Sequence, residues 1–189
     1  YYGRTIVTDW NLICKKAVYS NLTQTILLLG MFASTIIGYF SDKLGRKKIL
    51  VFSSLSLSII TLSCTFFQTD ILFSLDNWTR YTIFAITQFF SGALTNSLYC
   101  ILYSYVLELT VSEYKPIFIN WILFMYVMGE ILIMSVAYLL RDWVKLYLFI
   151  GIYTAIITIL MAIFFKESPR YLYECKKYER AESIVRHIA

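Results

Sequence analysis

The sequence predicts an all-α membrane protein, a bundle of five transmembrane helices followed by an amphipathic helix. Of its 189 residues, 59% are hydrophobic and only 15% are charged, a balance unlike that of ordinary soluble domains. The hydrophobic residues fall into five long runs, and an apolar helix of about 20 residues crosses the hydrocarbon core of a bilayer. The five predicted spans are residues 17–41, 49–67, 81–107, 116–140 and 146–165.

The segments outside the spans predict the orientation of the chain. Residues 1–16 are polar, and residues 166–189 are charged with a stripe of apolar residues at helical spacing, which is typical of an amphipathic helix. Short cytoplasmic loops have an excess of Lys and Arg, and the turn at residues 42–48 contains four of the 17 cations. We therefore expect an integral protein of the plasma membrane, with residues 1–16 outside and residues 170–189 in the cytoplasm.

The turn between the first two predicted spans combines glycines and charges at fixed spacing. Gly38 lies about one turn before the end of the first span, where a small residue lets a neighbouring helix approach closely. Asp42 lies at the carboxyl end of that helix, where the helix dipole disfavours an anion, so we expect Arg46 or a neighbouring helix to hold it. Gly45 can adopt the positive φ that a tight reversal requires.

This turn resembles the Gly-x-x-x-Asp-x-x-Gly-Arg-Lys loop between the second and third helices of major facilitator transporters. Residues 5–14 are similar to the Thr-Ile-Val-Thr-Glu-Trp-Asp-Leu-Val-Cys segment of organic cation, anion and carnitine transporters, with Asp9 and Asn11 as small polar exchanges. Residues 166–172 resemble the Pro-Glu-Ser-Pro-Arg-Trp-Leu signature of that branch and of sugar transporters, with Lys166 in place of the first proline. The resemblance implies a major facilitator helical bundle, of which this fragment covers the second to sixth helices.

The resemblance also implies a cytoplasmic gate. In the family, the loop after the second helix holds the two halves of the transporter together on the cytoplasmic side. Glu108 and Lys115 stand where the family has a Glu-x6-Arg pair, and the charged residues all lie at cytoplasmic ends of the predicted spans. We expect the gate to consist of nine residues: Gly38, Asp42, Gly45, Arg46, Lys47, Glu108, Lys115, Glu167 and Arg170.

A polar stripe runs along the third span. Gly92, Asn96, Tyr99 and Tyr103 are spaced by four, three and four residues, so they share one face of a helix. A polar face gains nothing from lipid, so it should meet protein or a water-filled cavity. The resemblance implies that Asn96, Tyr99 and Tyr103 face substrate, whereas helix packing is the alternative. Gln88 replaces an arginine used by many relatives, so the coupling role of that arginine does not transfer to this chain.

Glu130 is the single ionisable residue deep inside a predicted span. An ionised carboxylate near the middle of a bilayer costs on the order of 3 kcal/mol, so Glu130 must face the bundle interior, pair with a cation, or stay protonated. The family's usual residue at this position is apolar, so the prediction rests on physical reasoning alone. We expect Glu130 to line the solute path with the tyrosines and to favour cations. A protonated structural role is the alternative.

Two residues of the first segment carry separate expectations. The resemblance implies that Cys14 belongs to a disulfide-rich extracellular loop, and the partners of such a loop are missing from this chain. Trp10 is expected to anchor the segment at the membrane interface, where tryptophan is enriched. Its place in the family segment is the other explanation for it.

The predicted function is transport of small organic ions (cations, carnitine-like zwitterions or anions) by alternating access, as part of a longer chain. The sequence offers no nucleophile–base pair, metal-ligand spacing or phosphate loop, so neither an enzyme activity nor a cofactor is predicted. The expected partners are a small organic ion, the lipid bilayer, and the first helix and C-terminal six-helix half of the same chain. Nucleic acid is not expected, because the cations flank membrane spans. A non-transporting scaffold or truncated transporter is the alternative.

Overall fold

The computed structural model describes residues 3–68, 77–110, 113–168, 171 and 173. These residues form a bundle of long helices joined by short turns, and one turn of 3₁₀ helix, Cys14–Lys16, leads into the bundle. Most of the predicted amphipathic helix at residues 166–189 lies outside the described residues. The helices are α1 Ile6–Asp9, α2 Ala17–Leu44, α3 Arg46–Gln68, α4 Asn77–Leu109, α5 Lys115–Leu140 and α6 Trp143–Phe164.

Four of these helices, α2, α3, α5 and α6, are long and apolar enough to cross a membrane. The other long helix, α4, has 33 residues but includes more polar side chains, among them Thr87, Gln88, Asn96 and Ser97. It packs against both α2 and α3, so these side chains can bond neighbouring helices instead of facing lipid. The third predicted span, residues 81–107 in α4, is not among these four helices and therefore stays a prediction.

The α2–α4 crossing depends on two glycines. A Cβ atom on Gly30 would overlap the carbonyl oxygen of Phe89, and one on Gly92 would overlap the carbonyl oxygen of Leu27. The two backbones therefore touch directly, as small residues permit at packed membrane helices. Gly92, a member of the predicted polar stripe, lies in this crossing and does not line an open path.

The α3–α6 contact is a polar seam. The Ser54 and Thr158 hydroxyls are 2.5 Å apart, and the Ser58 hydroxyl donates to the Gly151 carbonyl at 3.1 Å. A Cβ on Gly151 would press into Leu62, so the missing side chain allows the approach. Ser54 and Ser58 of α3 thus bond the neighbouring helix α6.

Helix α5 is the least packed element of the bundle. It contacts α4 and α6, but none of its residues is buried. Its apolar and polar faces are both exposed within the described residues, in contrast to α3, which buries residues along its whole length. Surfaces on α5 are therefore available to lipid, solute or other protein.

The helix ends explain where the predicted boundaries shift. α5 stops at Arg141, which adopts a left-handed conformation with φ 50°. α6 starts at Trp143, three residues earlier than predicted, because the Asp142 side chain accepts a hydrogen bond from the Val144 backbone at 3.0 Å and caps the helix. α2 continues to Leu44 and ends at Gly45, which has φ 105°, so the positive φ expected there is confirmed.

Candidate functional site

Arg46 is the centre of a charge cluster at the end of the bundle where α2 meets α3, called here the Gly45 end. Its Nη2 atom lies 3.1 Å from Asp42 Oδ1 and 2.9 Å from Glu108 Oε1. The side chains of Arg46 and Glu108 are 17% and 12% exposed, whereas that of Asp42 is 66% exposed. Exposed ion pairs contribute only about 0–1 kcal/mol, so the shielded Arg46–Glu108 pair is the stronger contact. The expected Asp42–Arg46 pair is present.

The segment after α6 joins the same cluster. The Ser168 hydroxyl, which is fully buried, donates to Glu108 Oε2 at 2.7 Å. The Tyr105 hydroxyl of α4 donates to the Lys166 carbonyl at 2.8 Å, and its ring stacks on Phe165 at 5.3 Å. Glu108 therefore links α3, α4 and the chain beyond α6 through its two carboxylate oxygens.

Glu167 lies in a notch that Gly45 leaves open. A Cβ atom on Gly45 would overlap the Glu167 carboxylate, so this glycine is required for the contact as well as for its positive φ. Burial raises the pKa of Glu167 above its ordinary value, while Lys48, Lys47 and a hydrogen bond from the Lys47 backbone lower it. The carboxylate is thus held at the start of α3 by a basic helix terminus.

Two of the residues predicted for the gate, Lys115 and Gly38, are not joined to this cluster within the described residues. Lys115 makes no ion pair with any described residue, and Arg170 lies outside the described residues. A Cβ on Gly38 would meet nothing within 4 Å, so the close approach expected at this glycine is wrong for the described helices. Gly38 is half-buried on α2, with open space where a side chain would be.

A cluster of aromatic rings lies between α4 and α5. Tyr99 and Tyr103 stack with ring centroids 6.3 Å apart, and Tyr126 of α5 meets Tyr99 edge-to-face at 5.8 Å. Glu130 lies four residues after Tyr126 on α5, so the two side chains share a face of the helix. The structure therefore brings Tyr99 and Tyr103 together, whereas Glu130 shares only the α5 face of Tyr126, so its predicted place on the path stays a prediction. The structure also adds Tyr126, for which the spacing of four residues from Glu130 was the available signal.

Asn96 does not join the tyrosine cluster. Its Nδ2 atom donates to the Ser34 hydroxyl at 2.7 Å and lies 3.4 Å from the Met31 carbonyl. These contacts tie α4 to α2 close to the glycine crossing. The position of Asn96 therefore fits the alternative of helix packing better than a role in lining the solute path.

The opposite end of the bundle, called here the Trp143 end, is covered by the first segment of the chain. Asp9 accepts two hydrogen bonds from Arg4 Nε, at 2.9 and 2.8 Å, and one from the Trp143 indole at 2.8 Å. Trp10 is 8% exposed and packs against Phe84 and Trp143, with ring centroids 5.0 and 5.4 Å away. The expectation of an interfacial anchor is wrong, because these rings bury Trp10 in the bundle.

A cavity of about 700 Å³ opens beside this covering segment, lined by α2, α4, α5 and α6. Gln88 lies on its wall and donates to the Tyr147 hydroxyl at 2.5 Å. At the position where many relatives are expected to have arginine, this chain has the neutral amide of Gln88, bonded to the neutral hydroxyl of Tyr147. Cys14 is exposed and free, so the structure gives it no disulfide among the described residues.

Comparisons with known proteins agree with this architecture. Solute carrier family 22 member 4 from Mus musculus is 29% identical over 188 residues, which cover 98% of this chain and 32% of that protein. The steroid transmembrane transporter SLC22A24 from Oryctolagus cuniculus is 26% identical over 189 residues, which cover 100% of this chain and 32% of that protein. The chain thus spans about a third of the length of these curated relatives.

The fold is also similar to that of a solved transporter. The major facilitator superfamily proton:xylose symporter XylE superimposes with a TM-score of 0.75 at 20% identity, over 87% of this chain and 38% of that chain. The family model "Sugar (and other) transporter" matches residues 7–189. The expected bundle and transporter family are confirmed, and the family is not one of enzymes. The chain is an integral membrane protein that belongs to the sugar (and other) transporter family, with relatives in solute carrier family 22.

Proposed function

We propose that the full-length protein transports small organic ions across the plasma membrane by alternating access, in which two helical halves rock around a central site. Membership in a transporter family supports transport in general, and the solute carrier family 22 relatives support an organic solute. In this proposal, the described helices belong to the N-terminal half, residues 1–16 are extracellular and the Gly45 end is cytoplasmic. The first helix and the C-terminal half come from the rest of the protein.

The observation that carries the proposal is the exposed tyrosine–carboxylate face of α4 and α5. Glu130 is ten residues from the end of α5, or about 15 Å along the helix axis. It is exposed in the described bundle and has no cationic partner there. A carboxylate at that depth is costly against lipid, so a water-filled solute path is the surroundings that suit it best. Tyr99, Tyr103 and Glu130 are the proposed contacts to solute, with Asn96 supporting α4 from behind.

The charge cluster at the Gly45 end is the proposed cytoplasmic gate. Its shielded core is Arg46, Glu108 and Ser168, and Glu167 joins it through the Gly45 notch. Gly38 and Lys115 are open within the described chain, so we assign them to contacts with the other half of the transporter. Asp42, Lys47 and Arg170 complete the proposed gate. A network of this kind biases a two-state equilibrium by a few kcal/mol in total.

Uptake by cells that express the full-length protein tests the proposal. A panel of labelled organic cations, zwitterions and anions is compared with a control protein that carries Arg46→Glu and Glu108→Arg together. We expect saturable uptake of at least one class, and reduced uptake when the gate charges are exchanged. No uptake of any probe by protein that reaches the cell surface would contradict the proposal and favour the non-transporting scaffold.

A further inference from the structure

We infer that Glu167 makes the Gly45 end a sensor of acid in the cytoplasm: its carboxyl group binds a proton while this end is closed and releases it when the end opens, so that acidification favours the closed form. The inference deepens the proposed function, because it adds a regulator to the proposed cytoplasmic gate. It rests on that proposal for the two forms of the gate and for its place in the cell. Its test follows conformation and needs no transported solute.

One carboxylate oxygen of Glu167 is buried without a partner. This oxygen, Oε1, fills the notch at Gly45, where a Cβ atom would overlap it. It is shielded from solvent and accepts no hydrogen bond from the described part of the chain. Burial without a replacement for water penalises an ionised carboxylate far more than the neutral acid. The notch therefore favours a protonated Glu167.

The chain is fixed on both sides of Glu167. Before it, the Tyr105 hydroxyl donates to the Lys166 carbonyl at 2.8 Å. After it, the buried Ser168 hydroxyl donates to Glu108 Oε2 at 2.7 Å. These bonds join the segment after α6 to α4 and hold Glu167 in the notch. We expect the carboxylate to return to water when the same bonds break, which couples its protonation to the closure of this end.

The direction of the pH effect follows from the pKa of Glu167. Burial raises this pKa above its ordinary value of 4.5, and Lys47 and Lys48 of α3 lower it to a smaller extent. A carboxylate that returns to water on opening regains the ordinary value. The closed form therefore binds the proton more tightly, and it is favoured as pH falls from the raised value towards the ordinary one. This preference is lost as pH rises through the same window.

The other charged groups at this end offset one another. Asp42 of α2 and Glu108 of α4 both pair with Arg46, at 3.1 and 2.9 Å. Glu167, in contrast, makes no ion pair with a described residue. Further titratable groups beside the notch come from α4 and the segment after α6, and they are Tyr105, Lys166 and Tyr171. Glu167 is thus the acid at the notch whose ionisation the closed form opposes.

The reaction rate of a single cysteine reports the opening of this end. The full-length protein, purified in lipid nanodiscs and without other reactive cysteines, carries Gly38→Cys, at the position that we assign to contacts with the other half. The probe is 4,4′-dithiodipyridine, which reacts with thiols in acid, and rates are measured from about pH 4.5 to about pH 7.5. Each rate is divided by that of the same cysteine in a protein with Glu167→Gln, so the pH dependence of the thiol reaction cancels.

We expect this ratio to rise several-fold with pH, because Glu167 ionises over the range whereas the amide of Glu167→Gln stays neutral. Glu113→Gln removes an exposed carboxylate from the turn between α4 and α5, at the same end of the bundle. It is the matched control and should keep the full rise.

A ratio that stays flat or falls as pH rises would overturn the inference, and so would loss of the rise in Glu113→Gln. The expected rise without uptake of any solute would support the inference and count against the proposed function. Uptake of organic ions together with a flat ratio would support the proposed function and overturn the inference, so the two failures are distinguishable.

Discussion

The two ends of the bundle are held together by different chemistry. At the Gly45 end, one guanidinium is shared between Asp42 and Glu108 over distances of 3.1 and 2.9 Å, and charged groups make the main contacts. At the Trp143 end, Trp10 is buried among aromatic rings, and Asp9 is bonded by Arg4 and the Trp143 indole. Charge pairs exchange partners readily with water, whereas buried aromatic packing does not. Under the proposed function, we therefore expect the Gly45 end to switch between conformations and the Trp143 end to stay fixed.

Truncating Trp10 should have the largest effect on stability. Trp10→Ala removes a side chain that is 8% exposed and contacts three aromatic rings, and such truncations cost about 3–5 kcal/mol. We expect a large fall in the Tm of the purified full-length protein. Trp78→Ala, whose side chain is 47% exposed at the same end, is the control. Equal falls in Tm for both variants would show that the Trp143 end is not a packed unit.

Removing Arg46 should have the largest effect on transport. Arg46→Ala removes the guanidinium that lies 2.9 Å from the Glu108 carboxylate, which is 12% exposed, and breaking a buried pair in this way costs on the order of 3 kcal/mol. If this loss destabilises mainly one of the two conformations of the transport cycle, we expect uptake to drop by about tenfold or more, while surface expression is retained. Lys145→Ala is the control, because its pair with Asp142 is long at 3.9 Å and Lys145 is 67% exposed. Comparable losses of uptake in Arg46→Ala and Lys145→Ala would contradict the claim that charge pairs matter more for transport at the Gly45 end than at the Trp143 end.

A smaller effect is expected from Asp9→Asn. Asparagine still accepts a hydrogen bond from the Trp143 indole but loses the charge that pairs with Arg4, so we expect a stability loss of about 1–2 kcal/mol. The measurement is the Tm, with initial uptake rate per molecule unchanged. Asp142→Asn is the matched control, because Asn and Asp cap helices about equally well. A changed uptake rate in Asp9→Asn would mean that the Trp143 end also switches.

The smallest effect concerns Glu167 and pH. Burial raises the pKa of Glu167 above its ordinary value of 4.5, so the folded protein binds this proton more tightly than the unfolded chain. Stability therefore falls as pH rises from about that ordinary value to the raised one, and the cost persists above it. Glu167→Gln should remove this segment of the stability–pH curve in Tm scans. A curve that is unchanged by Glu167→Gln would contradict the burial of an ionisable carboxylate in the Gly45 notch.

The sequence predicted the Gly45 end well because its information is local. Asp42 and Arg46 are four residues apart, so they are neighbours on a helix surface. A glycine at position 45, between two helices, predicts a positive φ because glycine adopts that conformation at little steric cost. Glu108 was added from its place in the family pattern. The contact between Gly45 and the Glu167 carboxylate was not predicted, since it depends on where the chain runs after α6.

The Trp143 end and the tyrosine cluster show what periodicity leaves undetermined. A helical stripe shows which residues share a face, but the rotation of that helix against its neighbours decides what the face meets. Asn96 and Tyr99 lie on one stripe, yet Asn96 bonds Ser34 of α2 while Tyr99 meets Tyr126 of α5. Trp10 likewise lies in a polar segment, and its burial depends on rings from the distant helices α4 and α6.

Chemical accessibility of position 38 tests the switchable Gly45 end most directly. In the full-length protein without other reactive cysteines, Gly38→Cys places a thiol where a Cβ meets nothing within 4 Å of the described chain. Its labelling by a membrane-impermeant maleimide is measured from the cytoplasmic side, alone and combined with Arg46→Ala or Asp9→Asn. The account predicts several-fold faster labelling with Arg46→Ala and no change with Asp9→Asn. An unchanged rate with Arg46→Ala, or an equal increase with Asp9→Asn, would contradict it.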